Sequence, residues 1–257
     1  MYYLDKMEKN NEKFLRNCKG SHVGMMLSFA IFVTFIIFLY SVFQPSIGIG
    51  ANKDIMIDDI KAKITENISS NFTSASVVIA EDSNPNSTCV TLTNFLGFLA
   101  VNPPYKVIVK NEKLEDQEVY IIDQTSPDLK INRQSTSNTF FKAYSSPEFA
   151  PLGTESVGSC TSTSDYSIGS VVSGEYIFEK KMNEIINNYN TDYEGLKKKL
   201  KIVSNTEFSF GFTTTNGTVI ETKQDIISAN VYAEEIPIQY IDNEANIRSG
   251  FIKIKVW

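Results

Sequence analysis

Val23–Phe43 reads VGMMLSFAIFVTFIIFLYSVF, twenty-one residues without a single Asp, Glu, Lys or Arg. At 1.5 Å per residue such a helix is roughly 30 Å long, the thickness of a bilayer's hydrocarbon core. A buried helix of a soluble domain would carry a polar stripe, and this one has none. The run therefore predicts a transmembrane helix over residues 21–43. The competing reading is a secretory signal cut after the apolar core, with Gly48, Gly50 and Ala51 as the small residues near the cut. The length and aromatic content of the run favour an anchor.

Outward from this run the charges are unequal. Residues 1–20 carry five basic groups, Lys6, Lys9, Lys13, Arg16 and Lys19, against Asp5, Glu8 and Glu12. The residues after Phe43 carry 19 basic and 27 acidic groups, a net charge of −8. The flanking cations predict a cytoplasmic leader at 1–20 and a plasma-membrane protein with its C-terminal part outside. An acidic outer part excludes nucleic acid as a partner, because phosphate binding needs clustered cations. The local run Lys197-Lys198-Lys199 reads as the solvated face of a helix.

After the span, Pro45, Gly48 and Gly50 predict a flexible exit over 44–52. From 53 to 257 the pattern is that of an extracytoplasmic α+β domain, an antiparallel sheet with a few helices. Ile57, Ile60, Ile64 and Ile68 recur at helical spacing and predict an amphipathic helix over 53–69 that packs on the sheet. The runs 72–80, 88–93, 105–110, 118–123 and 140–144 are rich in β-branched and aromatic residues and predict strands. Residues 134–174 are dominated by Ser, Thr and Gly and read as a long irregular loop. Helices follow over 175–200, with Asp192 as a cap. Two hairpins close the chain. The first turns at Asn216-Gly217, a type I′ signal, and the second at Asp242–Asn246.

The chemistry is sparse. His22 is the one histidine, so no Ser/His/Asp or Cys/His set and no His/Cys zinc site can form after the span. No phosphate-binding glycine loop, dinucleotide fingerprint or calcium loop is present. Asp58-Asp59 and Glu234-Glu235 are the obvious carboxylate pairs for hydrolysis, and both read as surface charge. These patterns predict a protein that is not an enzyme and uses no cofactor or metal. Cys89 and Cys160 share the outer location and predict a disulfide closing a loop of about 70 residues. Asn67, Asn71, Asn86 and Asn216 each begin an N-x-Ser/Thr sequon and are glycosylation candidates. Cys18, in the leader, is predicted to be a free thiol.

Lys19-Gly20-Ser21-His22-Val23 follows a short basic leader and opens straight into the apolar run. This resembles the class III signal of archaeal type IV pilins and archaellins. The resemblance implies cleavage between Gly20 and Ser21 by a prepilin peptidase on the cytoplasmic side. It also implies that the helix stays on the mature protein and bundles with like or related subunits in a filament core. Departures are plain: many pilins place Glu five residues into the mature helix, where this chain has Met25. Pilin helices often continue into the head domain, whereas Pro45, Gly48 and Gly50 predict a break. The opening KGSHV…LSFAIFVTFIIFLYSVFQP and the ending EIPIQYID…GFIKIKVW also resemble single-span archaeal envelope proteins, a likeness that brings no activity with it. The expectation is a pilin-like or pseudopilin-like subunit of an envelope filament or secretion assembly. The alternative is a permanently anchored cell-surface binding or adhesion module. In either case the lipid bilayer is the first partner.

Overall fold

The structure is a computed structural model that describes residues 21–80, 86–133, 135–154, 160–203, 206–223 and 231–257, with the side chains of 21 and 43–54 excepted. It divides into two compact units, Met1–Met56 and Ile57–Trp257.

The first unit holds most of helix α1 (Ser21–Ile68). Its segment His22–Val42 is long and apolar enough to cross a membrane. The helical assignment runs on through 44–52, so the expected break is corrected: Pro45, Gly48 and Gly50 lie within α1. A proline removes one backbone bond and each glycine costs about 1 kcal/mol. Those costs are local, and a helix already formed on both sides propagates through them.

The last turns of α1 belong to the second unit, where Ile57, Ile60, Ile64 and Ile68 are all buried. This is the stripe that the spacing predicts, and α1 passes directly into the sheet at Ser69. Twelve strands among the described residues form one sheet. They are β1 (Ser69–Ile79), β2 (Cys89–Leu92), β3 (Val107–Asn111), β4 (Asp116–Ile121), β5 (Leu129–Asn132) and β6 (Phe140–Ser145), followed by β7 (Thr161–Thr163), β8 (Tyr166–Phe178), β9 (Phe208–Thr213), β10 (Val219–Glu221), β11 (Tyr232–Ile241) and β12 (Ile247–Val256). Their order across the sheet is β10-β9-β12-β11-β8-β1-β6-β3-β4-β5-β2-β7. Among the described residues three further helices are α2 (Phe95–Phe98), α3 (Glu179–Thr191) and α4 (Tyr193–Lys199).

Strand β4 is the fold line. Its start pairs with β3 through Lys110↔Asp116 and Val109↔Gln117, and its end pairs with β5 from Glu118↔Asn132 to Ile121↔Leu129. The β5-β2 side thereby closes over β1, β6 and β3. The enclosed core contains Ala75, Val77 and Ile79 of β1, Val90 and Leu92 of β2, Phe141 of β6, and Phe95 and Leu96 of α2. A smaller aromatic cluster forms around Phe72, whose ring meets Tyr144, Phe149, Tyr176 and Phe178.

Two strand expectations are revised. The sheet is mixed rather than purely antiparallel, because β11 runs parallel to β8 and β7 parallel to β2. The chain leaves β8 through α3 and α4, makes the β9-β10 hairpin, and returns beside β8 in the same direction. The Ser/Thr/Gly stretch 134–174 is likewise not one loop. It contains β6, β7 and most of β8, the longest strand of the sheet. Serines and glycines form a strand here because β1 pairs with β8 from Ser69↔Ile177 to Ile79↔Tyr166. The backbone ladder supplies what side-chain propensity does not.

The Asn216-Gly217 turn is also corrected. Gly217 has φ 80°, while Asn216 is absent from the positive-φ residues. A type I′ turn requires both. Gly217 N–H donates to Thr214 O and Thr214 N–H to Thr218 O, a type I turn closed by a left-handed glycine. Asn216 Oδ1 accepts from Thr214 Oγ1 at 2.5 Å and from Thr218 N–H at 3.1 Å, which holds Asn216 in the turn.

Candidate functional site

The apolar segment of α1 presents its side chains outward. Val23, Met25, Met26, Leu27, Phe29, Phe32 and Phe38 are all exposed. Its one hydroxyl at the centre is satisfied within the helix: Thr34 Oγ1 donates to Ala30 O at 3.0 Å and Ile31 O at 2.9 Å. An α-helix meets its own backbone hydrogen bonds, so the middle of such a segment brings no unpaired backbone group into an apolar medium. Gly24 has nothing within 4 Å of the position a Cβ would take. Gly24 and Ser28 are one turn apart and lie on one face of the helix. Of the expected cleavage residues, Lys19 and Gly20 lie outside the described residues, and Ser21 begins α1.

In the second unit Cys89 and Cys160 are disulfide-bonded, with Cα atoms 4.7 Å apart and a sequence separation of 71. The bridge joins β2 to the segment that leads into β7. Beside it Arg133 is fully buried. The Arg133 Nε–H and an Nη2–H both donate to Ser87 O, at 3.0 and 2.7 Å, and an Nη1–H donates to Asn138 O at 3.2 Å. Burial lowers the Arg133 pKa from its ordinary value. The guanidinium thus ties backbone carbonyls around the bridge. That role has no signature in sequence.

The four sequons lie in different places. Asn71 on β1, Asn86 before β2 and Asn216 in the β9-β10 turn are exposed, whereas Asn67 is half-buried in the last turn of α1. Asn67 also lines a cleft of about 560 Å³ with Lys63, Lys181, Lys199 and Lys201. Two of those ammonium groups serve backbone carbonyls at element ends. Lys63 Nζ donates to Lys201 O at 3.0 Å and Lys181 Nζ to Ser69 O at 2.9 Å.

The carboxylate pairs are held in ion pairs or split between the two faces of a strand. Asp59 is bound by Lys63 at 2.6 Å, while Lys61 bridges Asp58 at 3.9 Å and Glu234 at 3.7 Å. Glu234 is half-buried and Glu235 exposed, as alternation along β11 requires. Among the described residues no three His, Cys, Asp or Glu side chains cluster as a metal site would need.

One expectation about charge holds for Lys198 and Lys199, which are exposed, and fails at the residue before them. Lys197 is not on a solvated face: it is 4% exposed. Its Nζ lies 2.7 Å from Glu207 Oε1 and 5.6 Å from the centroid of the Tyr193 ring. The Tyr193 hydroxyl donates to Glu207 Oε2 at 2.5 Å. Burial and the Glu207 hydrogen bond push the Tyr193 pKa far up. For Glu207, burial opposes ionisation, yet hydrogen bonds from Lys197 and Tyr193 and the Lys197 charge hold its pKa below the usual value. The cluster pins α4 to the start of β9. The i, i+4 spacing of Tyr193 and Lys197 is visible in sequence, but their joint partner is not. Asp192 caps α4 as expected, its Oδ1 accepting from Gly195 N–H at 2.9 Å.

Comparison of the chain with protein-family models, with curated proteins and with solved structures finds no match.

Proposed function

We propose that this chain is a pilin-like or pseudopilin-like structural subunit of an envelope filament or secretion assembly. The apolar segment of α1 spans the lipid bilayer with the N-terminus cytoplasmic, and the sheet domain is displayed outside. The protein acts through its surfaces rather than by catalysis. The observation that carries the reading is the uninterrupted helical assignment from Ser21 to Ile68. Within this helix His22–Val42 is apolar on every side, and Ile57, Ile60, Ile64 and Ile68 are buried in the second unit. An anchor needs only apolar length. A helix that also enters the core of its head domain matches the pilin resemblance at the point where the sequence pattern departed from it.

The test is mass spectrometry of the N-terminus of the protein isolated from its native membrane. The expected mature chain begins at Ser21, with Lys19 and Gly20 removed on the cytoplasmic side. An intact Met1 would overturn the reading and leave the permanently anchored binding or adhesion module as the better account.

A further inference from the structure

The cleft of about 560 Å³ beside Asn67 is built by three parts of the second unit: the last turns of α1, the helix α3, and the end of α4 with the two residues after it. Its volume falls within the roughly 300–1,000 Å³ typical of small-molecule sites. Ile185 and Leu200, both buried, supply the apolar part of its lining. The charged part is Lys63, Lys181, Lys199 and Lys201 against Glu66 and Glu184, a net charge of +2. The residues after Phe43 as a whole carry −8.

The four ammonium groups are held differently. Lys63 Nζ and Lys181 Nζ are fixed by the backbone carbonyls of Lys201 and Ser69. Their carboxylate neighbours Asp59 and Glu148, at 2.6 and 4.0 Å, are not part of the lining. Lys199 and Lys201 are exposed, and among the described residues neither side chain makes a hydrogen bond or an ion pair. The same holds for the side chains of Glu66, Glu184, Asn67 and Asn188. Opposite charges thus share the cleft without meeting.

Lys201 adds a backbone observation. It follows α4 with φ 53°. Its N–H donates to Lys198 O, and Ile202 N–H donates to Lys197 O. That helix ending favours glycine, and a residue with a Cβ is strained there. Glycine would close α4 equally well, so the ending does not account for a lysine. A place on the cleft gives its side chain a use.

We infer that this cleft binds a small acidic sugar, one that carries a carboxylate or a phosphate ester. The lysines take the acid group, because an ammonium is a point charge that binds either anion. Glu66 and Glu184 select against a bare anion, which they repel. They accept hydrogen bonds from hydroxyl groups instead, and the amides of Asn67 and Asn188 both donate and accept. A sugar ring brings hydroxyls to these groups and C–H surface to Ile185 and Leu200. The inference goes beyond the structural-subunit reading and does not rest on it, since every lining residue belongs to the second unit.

The test is isothermal titration calorimetry on the full chain in detergent. The protein is made in cells that add no N-linked glycan, so that no sugar on Asn67 fills the cleft. Glucuronate and glucose 6-phosphate separate the two acid groups, while glucose and inorganic phosphate each offer half of the ligand. One or both acidic sugars are expected to bind about tenfold or more tightly than either half. Lys199→Gln with Lys201→Gln is expected to weaken that binding about tenfold, and Lys198→Gln, outside the lining, to leave it unchanged. Lys201→Gly gives a split that a structural role alone would not. It relieves the left-handed strain, so the urea midpoint followed by Trp257 fluorescence is expected to rise while sugar affinity falls. Four results would each overturn the inference: no binding of either acidic sugar, equal binding of inorganic phosphate, affinity unchanged in the Lys201 variants, or equal weakening by Lys198→Gln.

Discussion

Two stretches of α1 bury apolar surface in different ways. His22–Val42 is apolar all round and exposes nearly every side chain. Ile57–Ile68 is amphipathic, with four buried isoleucines interleaved with Asp58, Asp59, Lys61, Lys63 and Glu66. The second stretch satisfies the hydrophobic effect within its own domain, so its contribution is to stability. The first can do so only in an apolar solvent or against other helices, so on the proposed reading its contribution is to location and association. An uncharged run is one kind of signal and a periodic one is another, although both are written in isoleucine.

The comparison is tested most directly by truncating one isoleucine in each stretch. Ile64→Ala opens a cavity at a fully buried site and is expected to lower the unfolding free energy by about 2–5 kcal/mol. Ile36→Ala, at an exposed position, is expected to change it by less than about 0.5 kcal/mol. Urea unfolding of the full chain in detergent, followed by Trp257 fluorescence, checks both. Equal losses would break the distinction.

A second, smaller effect comes from the charges that lock the sheet domain. Glu207 has a pKa held below its ordinary value. The folded state therefore binds this proton less readily than the unfolded state. The stability it contributes is present above the unfolded carboxylate pKa and is lost as pH falls through the folded one. Glu207→Gln is expected to flatten this acid limb of the stability–pH profile measured by urea midpoints. Placement of α4 should suffer as well, since Lys197 then loses its carboxylate. Insertion of His22–Val42 into membranes should be untouched, because none of these groups lies in that segment. An acid limb unchanged in Glu207→Gln would show that other carboxylates carry it.

The smallest effect on folding belongs to the apolar segment. Gly24→Leu with Ser28→Leu adds hydrophobicity where Gly24 has open space around it. Urea midpoints and membrane insertion are expected to stay at wild-type values. Cross-linked assemblies in native membranes are expected to disappear, because small residues are what let helix backbones approach closely. Assemblies that persist in the double variant would assign the segment to anchoring alone.

Much of this is legible in the sequence. The charge-free run predicted the long apolar helix, and the isoleucine spacing predicted which face of the later turns is buried. The β-branched and aromatic content of β1, β2, β3, β4 and β6 predicts strands close to their observed bounds. The hairpin at Asp242–Asn246 was equally clear: Asp242 Oδ1 accepts from Glu244 N–H at 2.9 Å and Asn246 N–H at 2.8 Å, and Ala245 takes φ 60°. These are local signals, set by neighbours in sequence.

What escaped the sequence reading was non-local. Strand β8 has a loop's composition and becomes a strand because β1 offers it a ladder. Lys197 looks like surface charge and is buried because Glu207, ten residues on, comes back to meet it. The four residues of β5 are too few to show a period, and they form because β2 and β4 flank them. Pro45 and the glycines after it looked like a stop, yet helix on either side carried the chain through. Sequence by itself determined where apolar surface lies and at what period, because those depend on side chains a few residues apart. Only tertiary structure decided which polar and small residues joined the sheet, because hydrogen-bond ladders and buried ion pairs depend on partners brought together by the fold.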